Sequence, residues 1–497
     1  MNIARRSFLK GLGLASAGGA LAGCSTIAGS TSAPKSEAVL DAEEHDKLPR
    51  LKYPVQDLRA KLNRKEPITA VVVGCGARGH TYSWYAKQYP DLFKIVGLCD
   101  LNPVRTKRLG ERQGVPEADR FTGDYRDYVG FKKRLADIMI IGLPDDLHYD
   151  PAMKALDLGY DLLLEKPMCQ TEEECRTLLK KVEEKQALVG IGHVLRYAPY
   201  FRAVKGVIDD GLIGEVKSIQ HMEPIQFAHM AHSYVRGNWH DSKKTTPIIL
   251  AKSCHDLDII KWWVGKHCEE VSAEGDLSFF KAENAPEGAP CRCTDGCPHE
   301  GECPYSAIEI YKRRHWHLHV FDLQNRLAKG DAGEEEKAAK LKAFDDEIME
   351  KLRTTDYGKC VFHCDNDQPD HYIANLKFEG GITAAFSMEA FTPWGGRRTR
   401  VMGTKGFIEG DGEEFTLYNF RTKERFLWDG KVSEVDTYKA SGHGGGDLAL
   451  VRDLLEAVDT RDPAKLSSSV AASVESHIMG FACEKSRLTG TKVKVVM

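Results

Sequence analysis

Three groups of residues have the types and spacing to do chemistry. The first is Gly74-Cys75-Gly76-Ala77-Arg78-Gly79, a G-x-G-x-x-G run. Gly74 permits a tight turn, Gly76 lets a pyrophosphate approach the backbone, and Gly79 allows close helix–strand packing. Asp100 follows the last glycine by about 20 residues, where a carboxylate can hydrogen-bond an adenosine ribose and repel a 2′-phosphate. This favours NAD, while Arg105 leaves NADP open. The second group is cysteine, of which the chain has 14. Cys293, Cys297, Cys303 and Cys364 are candidate tetrahedral ligands of a structural zinc. The spacing is not a pair of C-x2-C hooks, so disulfides are the competing reading. The third group is His229, His232, Arg236, Trp239 and His240. Trp239 could stack on a sugar ring and Arg236 could bind a carboxylate or sulfate; an ordinary loop explains the stretch equally well.

These residues need elements to hold them. Ile68 to Val73 reads as a buried strand, followed by a helix from His80 to Gln88 and a strand from Lys94 to Cys99. Further strands at Ala136–Gly142 and Asp161–Leu164 flank a helix from Tyr149 to Leu158. Such alternation builds a doubly wound parallel sheet whose strand ends line a cofactor crevice. In the second half, Glu215 to His221 alternates as a strand. Asn375–Phe378 and Thr383–Met388 read as a hairpin about Glu379-Gly380-Gly381. Asp447–Val458 and Ser467–Lys485 are helical by period, with Asp447 as N-cap after a glycine-rich turn whose His443 could reach a cleft. Leu327 to Leu352 reads as a charged surface helix.

The N-terminal residues read as an address. Arg5-Arg6-Ser7-Phe8-Leu9-Lys10 resembles a twin-arginine export signal, and Leu21-Ala22-Gly23-Cys24 a lipoprotein cleavage box with Cys24 as the lipidated residue. The expected plan is a signal at 1–24, a tether at 25–62, a dinucleotide domain at 63–190 and a second domain at 191–497 with a cysteine-containing insert at about 280–365. The expected location is the periplasmic face, lipid-anchored, with the membrane touched only through that anchor. Composition agrees with a globular chain: 497 residues, 42% hydrophobic and 29% charged, suit two or three domains. Lys+Arg 69 against Asp+Glu 73 gives −4, without the basic excess of a nucleic-acid binder.

The glycine run, Leu143-Pro144-Asp145-Asp146-Leu147-His148 and Glu165-Lys166-Pro167 together resemble the Gfo/Idh/MocA (glucose–fructose oxidoreductase / inositol dehydrogenase) family, over roughly residues 66 to 497. The resemblance implies an N-terminal Rossmann domain and a C-terminal α/β domain with an open, mostly antiparallel sheet. It implies cofactor contacts from Gly74, Gly76, Ala77, Arg78, Gly79, Asp100, Leu143, Pro144, His148, Glu165 and Lys166. It assigns Lys166 as acid/base on a substrate hydroxyl and His255 as its partner. It places Arg196, Tyr197, His232, Arg236, Trp239, Asp258 and His443 near substrate. Ala251 stands where the family usually has an acid, which puts the usual proton relay in doubt. The implied activity is NAD(P)-dependent oxidation of a sugar, glycoside or polyol hydroxyl with tightly bound cofactor, because an exported enzyme has no obvious NAD pool. A glycosidase using transient oxidation and elimination, and a non-catalytic ligand-binding lipoprotein, are the alternatives. An open sheet also suggests a homo-oligomer.

Overall fold

The computed structural model describes residues 45, 47–53, 57–323, 334–430 and 443–497. Cys24, the signal and most of the expected tether lie outside the described residues, and the account below concerns residues from 48 onward. Six parallel strands form the first sheet: β1 (Ile68–Val73), β2 (Phe93–Asp100), β3 (Arg120–Thr122), β4 (Ile138–Ile141), β5 (Asp161–Leu164) and β6 (Val189–Ile191), in the order β3-β2-β1-β4-β5-β6. β4 and β5 are buried at every position, as strands covered by helices on both faces must be. The covering helices include α1 (Ala77–Gln88), α2 (Pro103–Gln113), α3 (Tyr149–Asp157) and α4 (Glu172–Lys185). α2 is fixed locally: Asn102 caps its N-terminus through Val104 N, Pro103 opens it, and Gly114 closes it at φ +68°. The strand order reverses between β1 and β4, where a doubly wound sheet binds ligands.

α5 (Pro199–Asp209) leads to a nine-stranded mixed sheet built from β7 (Val216–Pro224), β8 (Cys268–Asp276), β9 (His371–Phe378), β10 (Ile382–Glu389), β11 (Arg398–Gly403), β12 (Gly406–Gly410), β13 (Glu414–Asn419), β14 (Arg425–Asp429) and β15 (Val493–Lys494). The order is β14-β13-β12-β11-β7-β10-β9-β8-β15, antiparallel except for β7 beside β10. β9 alternates buried and exposed residues, so one face packs inward and the other is open. α6 (Cys254–Val264) and α9 (Val470–Thr489) pack against the nine-stranded sheet, and α8 (Gly446–Thr460) covers the parallel sheet beside α1; an insert between β8 and β9 carries a cluster of cysteines and α7 (Glu334–Thr354).

Two expectations change here. The later tether residues are structured: Leu58 and Ala60 are buried, and Leu51 N donates to Leu427 O at 2.8 Å. Among its described side chains, α7 buries Phe344, Ile348 and Leu352, so its charged period marks only the outer face.

Candidate active site

The glycine loop and the ends of β4 and β5 meet at the carboxyl edge of the parallel sheet. Gly74 has φ +93°, and a Cβ there would lie 2.4 Å from Gly142 O; one on Gly79 would lie 2.2 Å from Gly74 O. Both positions therefore require glycine. At Gly76 the nearest atom to a Cβ is Arg105 Nη1 at 3.8 Å, so the space above the loop is open. α1 begins there with no side-chain cap and no acidic residue in its first turn, leaving its N–H groups for an anion. Asp100 accepts from Cys75 N at 2.7 Å and from Asn102 N at 2.8 Å, which pins the end of β2 to the loop. Half-buried Leu143 and exposed Pro144 close the crevice at the end of β4. These features fit a dinucleotide.

Arg78 and His148 have positioning tasks. Arg78 donates to Glu165 and Tyr82, and at 2.6 Å to Asp447 on α8, tying the two halves of the site together. Burial, the largest single influence, pushes the Glu165 carboxyl up, but the Arg78 guanidinium, Lys166 and the Tyr82 hydroxyl together outweigh it and hold the group below its ordinary range. His148 is buried, with one ring nitrogen 2.7 Å from Pro167 O and the other 2.9 Å from Leu143 O. It clips the two loops together and leaves no ring nitrogen for a cofactor.

Lys166 stands half-buried at the end of β5, and its Nζ donates to Ala251 O at 2.7 Å. The backbone carbonyl of Ala251 thus orients the lysine at the position where an acid was expected. Beside it, three buried imidazoles gather: His193 lies 5.7 Å from His255 and 5.2 Å from His477, ring to ring. His443 lies 5.9 Å from His255 and bonds Asp447 at 3.1 Å. Burial, reinforced by Lys166 and His193, lowers His255 well below the usual histidine range. His255 Nδ1 and both nitrogens of His193 are buried with no hydrogen-bond partner. Buried polar atoms are rarely left so, and a substrate hydroxyl or water would satisfy them. His443 also lines a cavity of about 650 Å3 with Trp394 and Arg397. Trp394 is 56% exposed, an aromatic face free for a ring. Arg397 bonds Asp256 at 2.9 Å, and Lys252 pairs with Glu223 at 3.0 Å rather than with the site.

Several expected substrate contacts are structural instead. Arg196 forms a buried two-point pair with Asp258, at 2.6 and 2.7 Å. Tyr197 is fully buried and bonds Ser468. Arg236 is buried under the insert, donating to Lys359 O and Tyr305 O at 2.7 Å. Trp239 packs part-buried beside Tyr234. His232 bonds Tyr311 at 2.8 Å and stacks on His317 at 4.2 Å. Asp447 is not the N-cap of α8, a place taken by Gly445; its carboxylate turns to Arg78 and His443. The four candidate cysteines do not form a tetrad: Cys293, Cys297 and Cys303 line one small cavity with Cys360 in place of Cys364, and their sulfurs are not drawn together to within 4.8 Å of one another. Cys364 Sγ donates to Cys360 O, and the Arg236 guanidinium sits 3.7 Å from Cys293 Sγ, a cation where a metal would have to bind. The 13 described cysteines are all free thiols. Among the described residues, His232, His317 and His319 are the only group of three or more metal-binding side chains whose ligand atoms all lie within 4.8 Å of one another. Their geometry is that of aromatic packing: the His232 and His317 planes are 9° apart and stacked, so one ion cannot lie in the plane of both rings, where their nitrogen lone pairs point.

His193, His477, Trp394 and Arg397 escaped the sequence. They join the site through long-range packing, and nothing in their local pattern sets them apart.

Comparison with known proteins agrees with this geometry. Residues 68–193 match the oxidoreductase family with an NAD-binding Rossmann fold, and residues 205–303 its C-terminal alpha/beta domain. The chain is 29% identical to the Bacillus subtilis (strain 168) protein YteT, an oxidoreductase by name, over 403 residues, 77% of this chain and 88% of that one. It is 22% identical to an inositol 2-dehydrogenase/D-chiro-inositol 3-dehydrogenase of Lactiplantibacillus plantarum, over 43% of this chain and 57% of that one. An inositol dehydrogenase homolog from Azotobacter vinelandii, solved with NAD+, shares the fold at TM-score 0.61 and 16% identity, covering 88% of this chain and 100% of that one. With the loop, the crevice and the two domains in place, the chain belongs to the Gfo/Idh/MocA family of NAD-binding oxidoreductases.

Proposed function

We propose that this oxidoreductase acts on a secondary hydroxyl of a sugar, glycoside or polyol, and that NAD stays bound between turnovers. The observation that carries the reading is Lys166, held by Ala251 O beside the unpartnered nitrogen of His255. When bound, NAD supplies the hydride acceptor. Lys166 takes the hydroxyl proton, with its Nζ kept in place by one backbone bond. His255, kept neutral by burial, donates its ring N–H to the oxygen of the same hydroxyl, or relays the proton from Lys166 on towards His443. Arg78 and Glu165 keep the two loops at a fixed spacing. Trp394 offers its face to the substrate ring.

Arg5-Arg6 and Cys24 support export and lipid anchoring on the periplasmic face. Cys24→Ala should move the protein from the membrane fraction to the aqueous one. An unchanged fractionation would sink the anchor.

The deciding experiment quantifies nicotinamide released on denaturing protein purified without added cofactor. About one NAD per chain is expected if the redox cycle closes in one site. The loaded protein is then offered polyols, sugars and glycosides, read for reduced cofactor and for glycoside cleavage. Reduction without cleavage supports the oxidoreductase; cleavage with no net reduction favours the transient-oxidation glycosidase. A protein that arrives empty and fails to take up NAD would overturn the reading.

A further inference from the structure

The insert between β8 and β9 reaches across to the cofactor crevice. Its residues Leu318–Phe321 form a turn whose Leu318 and Phe321 are buried, as is Leu323 just beyond. Asp322 lies between these anchors, so its carboxylate is held in place by apolar packing on both sides. That carboxylate accepts from Asn102 Nδ2 at 2.9 Å, from Arg105 Nε at 3.2 Å and from Arg108 at 3.3 Å. The donors are the N-cap Asn102 and two residues in the first two turns of α2, which follows Asp100 at the end of β2.

The location gives these bonds their meaning. Asp100 and Asn102 are linked by the 2.8 Å bond from Asn102 N, and Arg105 Nη1 is the atom nearest the open side of Gly76. This is the end of the crevice that holds an adenosine ribose, where a free arginine accommodates a 2′-phosphate. Here both candidate arginines are already paired. Their side chains are 32% and 24% exposed and that of Asp322 is 16%, so the pairing is sheltered from solvent. A 2′-phosphate would have to displace a fixed carboxylate or sit beside two, Asp100 and Asp322. A ribose 2′-hydroxyl meets neither obstacle.

We propose that Asp322, supplied by the insert of the second domain, sets coenzyme choice by occupying Arg105 and Arg108, and so selects NAD against NADP. The proposal rests on the reading that this crevice binds a nicotinamide dinucleotide. It adds a determinant more than 200 residues away in sequence from the G-x-G-x-x-G loop and Asp100, 220 positions beyond Asn102.

The test is equilibrium binding of NAD and NADP to full-length protein stripped of cofactor, read by fluorescence and independent of turnover. The unmodified protein should prefer NAD. Asp322→Ala should tighten NADP binding at least about tenfold relative to NAD, by freeing charge-assisted donors. Adding Arg105→Ala and Arg108→Ala should abolish that gain. If Asp322→Ala does not fold, Asp322→Asn, which keeps the shape and removes the charge, reads the same ratio. An unchanged ratio in a folded variant, a gain that survives loss of both arginines, or a native preference for NADP would each overturn the role of Asp322 while leaving the NAD-site reading intact. A native protein that binds neither dinucleotide overturns both together.

Discussion

At the scale of single residues, the site separates groups that do chemistry from groups that hold them. In the proposed reaction Lys166 is the group that touches the reacting hydroxyl. Lys166→Ala should lower kcat by about 10^2 to 10^4, the usual contribution of a positioned acid/base, while NAD binding, measured by titration, stays within a few-fold. Unimpaired turnover would remove Lys166 from the mechanism. Arg196 is the opposite case. Its partner Asp258 is fully buried, so Arg196→Ala leaves a carboxylate without its counter-charge. The expected loss is about 3–5 kcal/mol of stability, checked by urea unfolding; a loss below about 1 kcal/mol would contradict the buried-pair account. The chemistry of both residues was visible in the sequence, but their roles were not equally so. Lys166 sits at a strand end inside a recognisable motif. Arg196 and Tyr197 look like binding residues in one dimension, and only the packing of α6 and α9 around them reveals bonds to Asp258 and Ser468.

At the scale of elements, the centre of the parallel sheet was readable because β4 and, but for Thr69, β1 are uninterrupted apolar runs and β1 opens into the glycine loop, whereas β3, only Arg-Phe-Thr, has no such run to mark it. Asp161–Leu164 coincides with its predicted limits, while β7 extends to Pro224, beyond the alternating stretch. The insert was opaque. Its cysteines suggested a metal because a tetrad is a local pattern, whereas the cation that occupies their neighbourhood, Arg236, comes from another segment. The insert also packs histidines that burial keeps neutral. Burial, with nearby positive groups, lowers His232 to about 2, His317 to about 4 and, beside the active site, His477 to about 3. The unfolded chain binds these protons below about pH 6.5, whereas the folded chain refuses them. Their contribution is therefore complete above pH 6.5 and falls as pH drops, by roughly 1.4 kcal/mol per unit for each such group until its folded pKa is reached. The urea midpoint should fall steadily between pH 7 and pH 5, ahead of the range in which carboxylates titrate. A midpoint that is flat across that window would contradict the burial of these rings.

At the scale of the whole molecule, residues from separate stretches of chain converge on one crevice. Arg78 from the first domain reaches Asp447 on α8, and Asp322 from the insert reaches Arg105. The nine-stranded sheet shows a different kind of closure. On one side, Arg50 lies in a parallel bridge with Leu427 of β14, fixed by Leu427 N to Pro49 O at 2.9 Å. On the other, β15 covers β8 through Val493 and Lys494. Deleting residues 48–52 should strip the first cover, and light scattering should then show concentration-dependent assembly; a variant that stays monodisperse would argue that the bridge shields nothing. The intact arrangement restricts how copies can meet. Lateral growth, strand beside strand, has few free hydrogen-bonding rims to start from, so the sheet is steered away from endless ribbons. What stays available is its broad exposed face, with Asn375, Lys377 and Thr383 pointing outward. Contact through a face is self-limiting, because once two faces meet both are used up, and the particle stops at a small closed count.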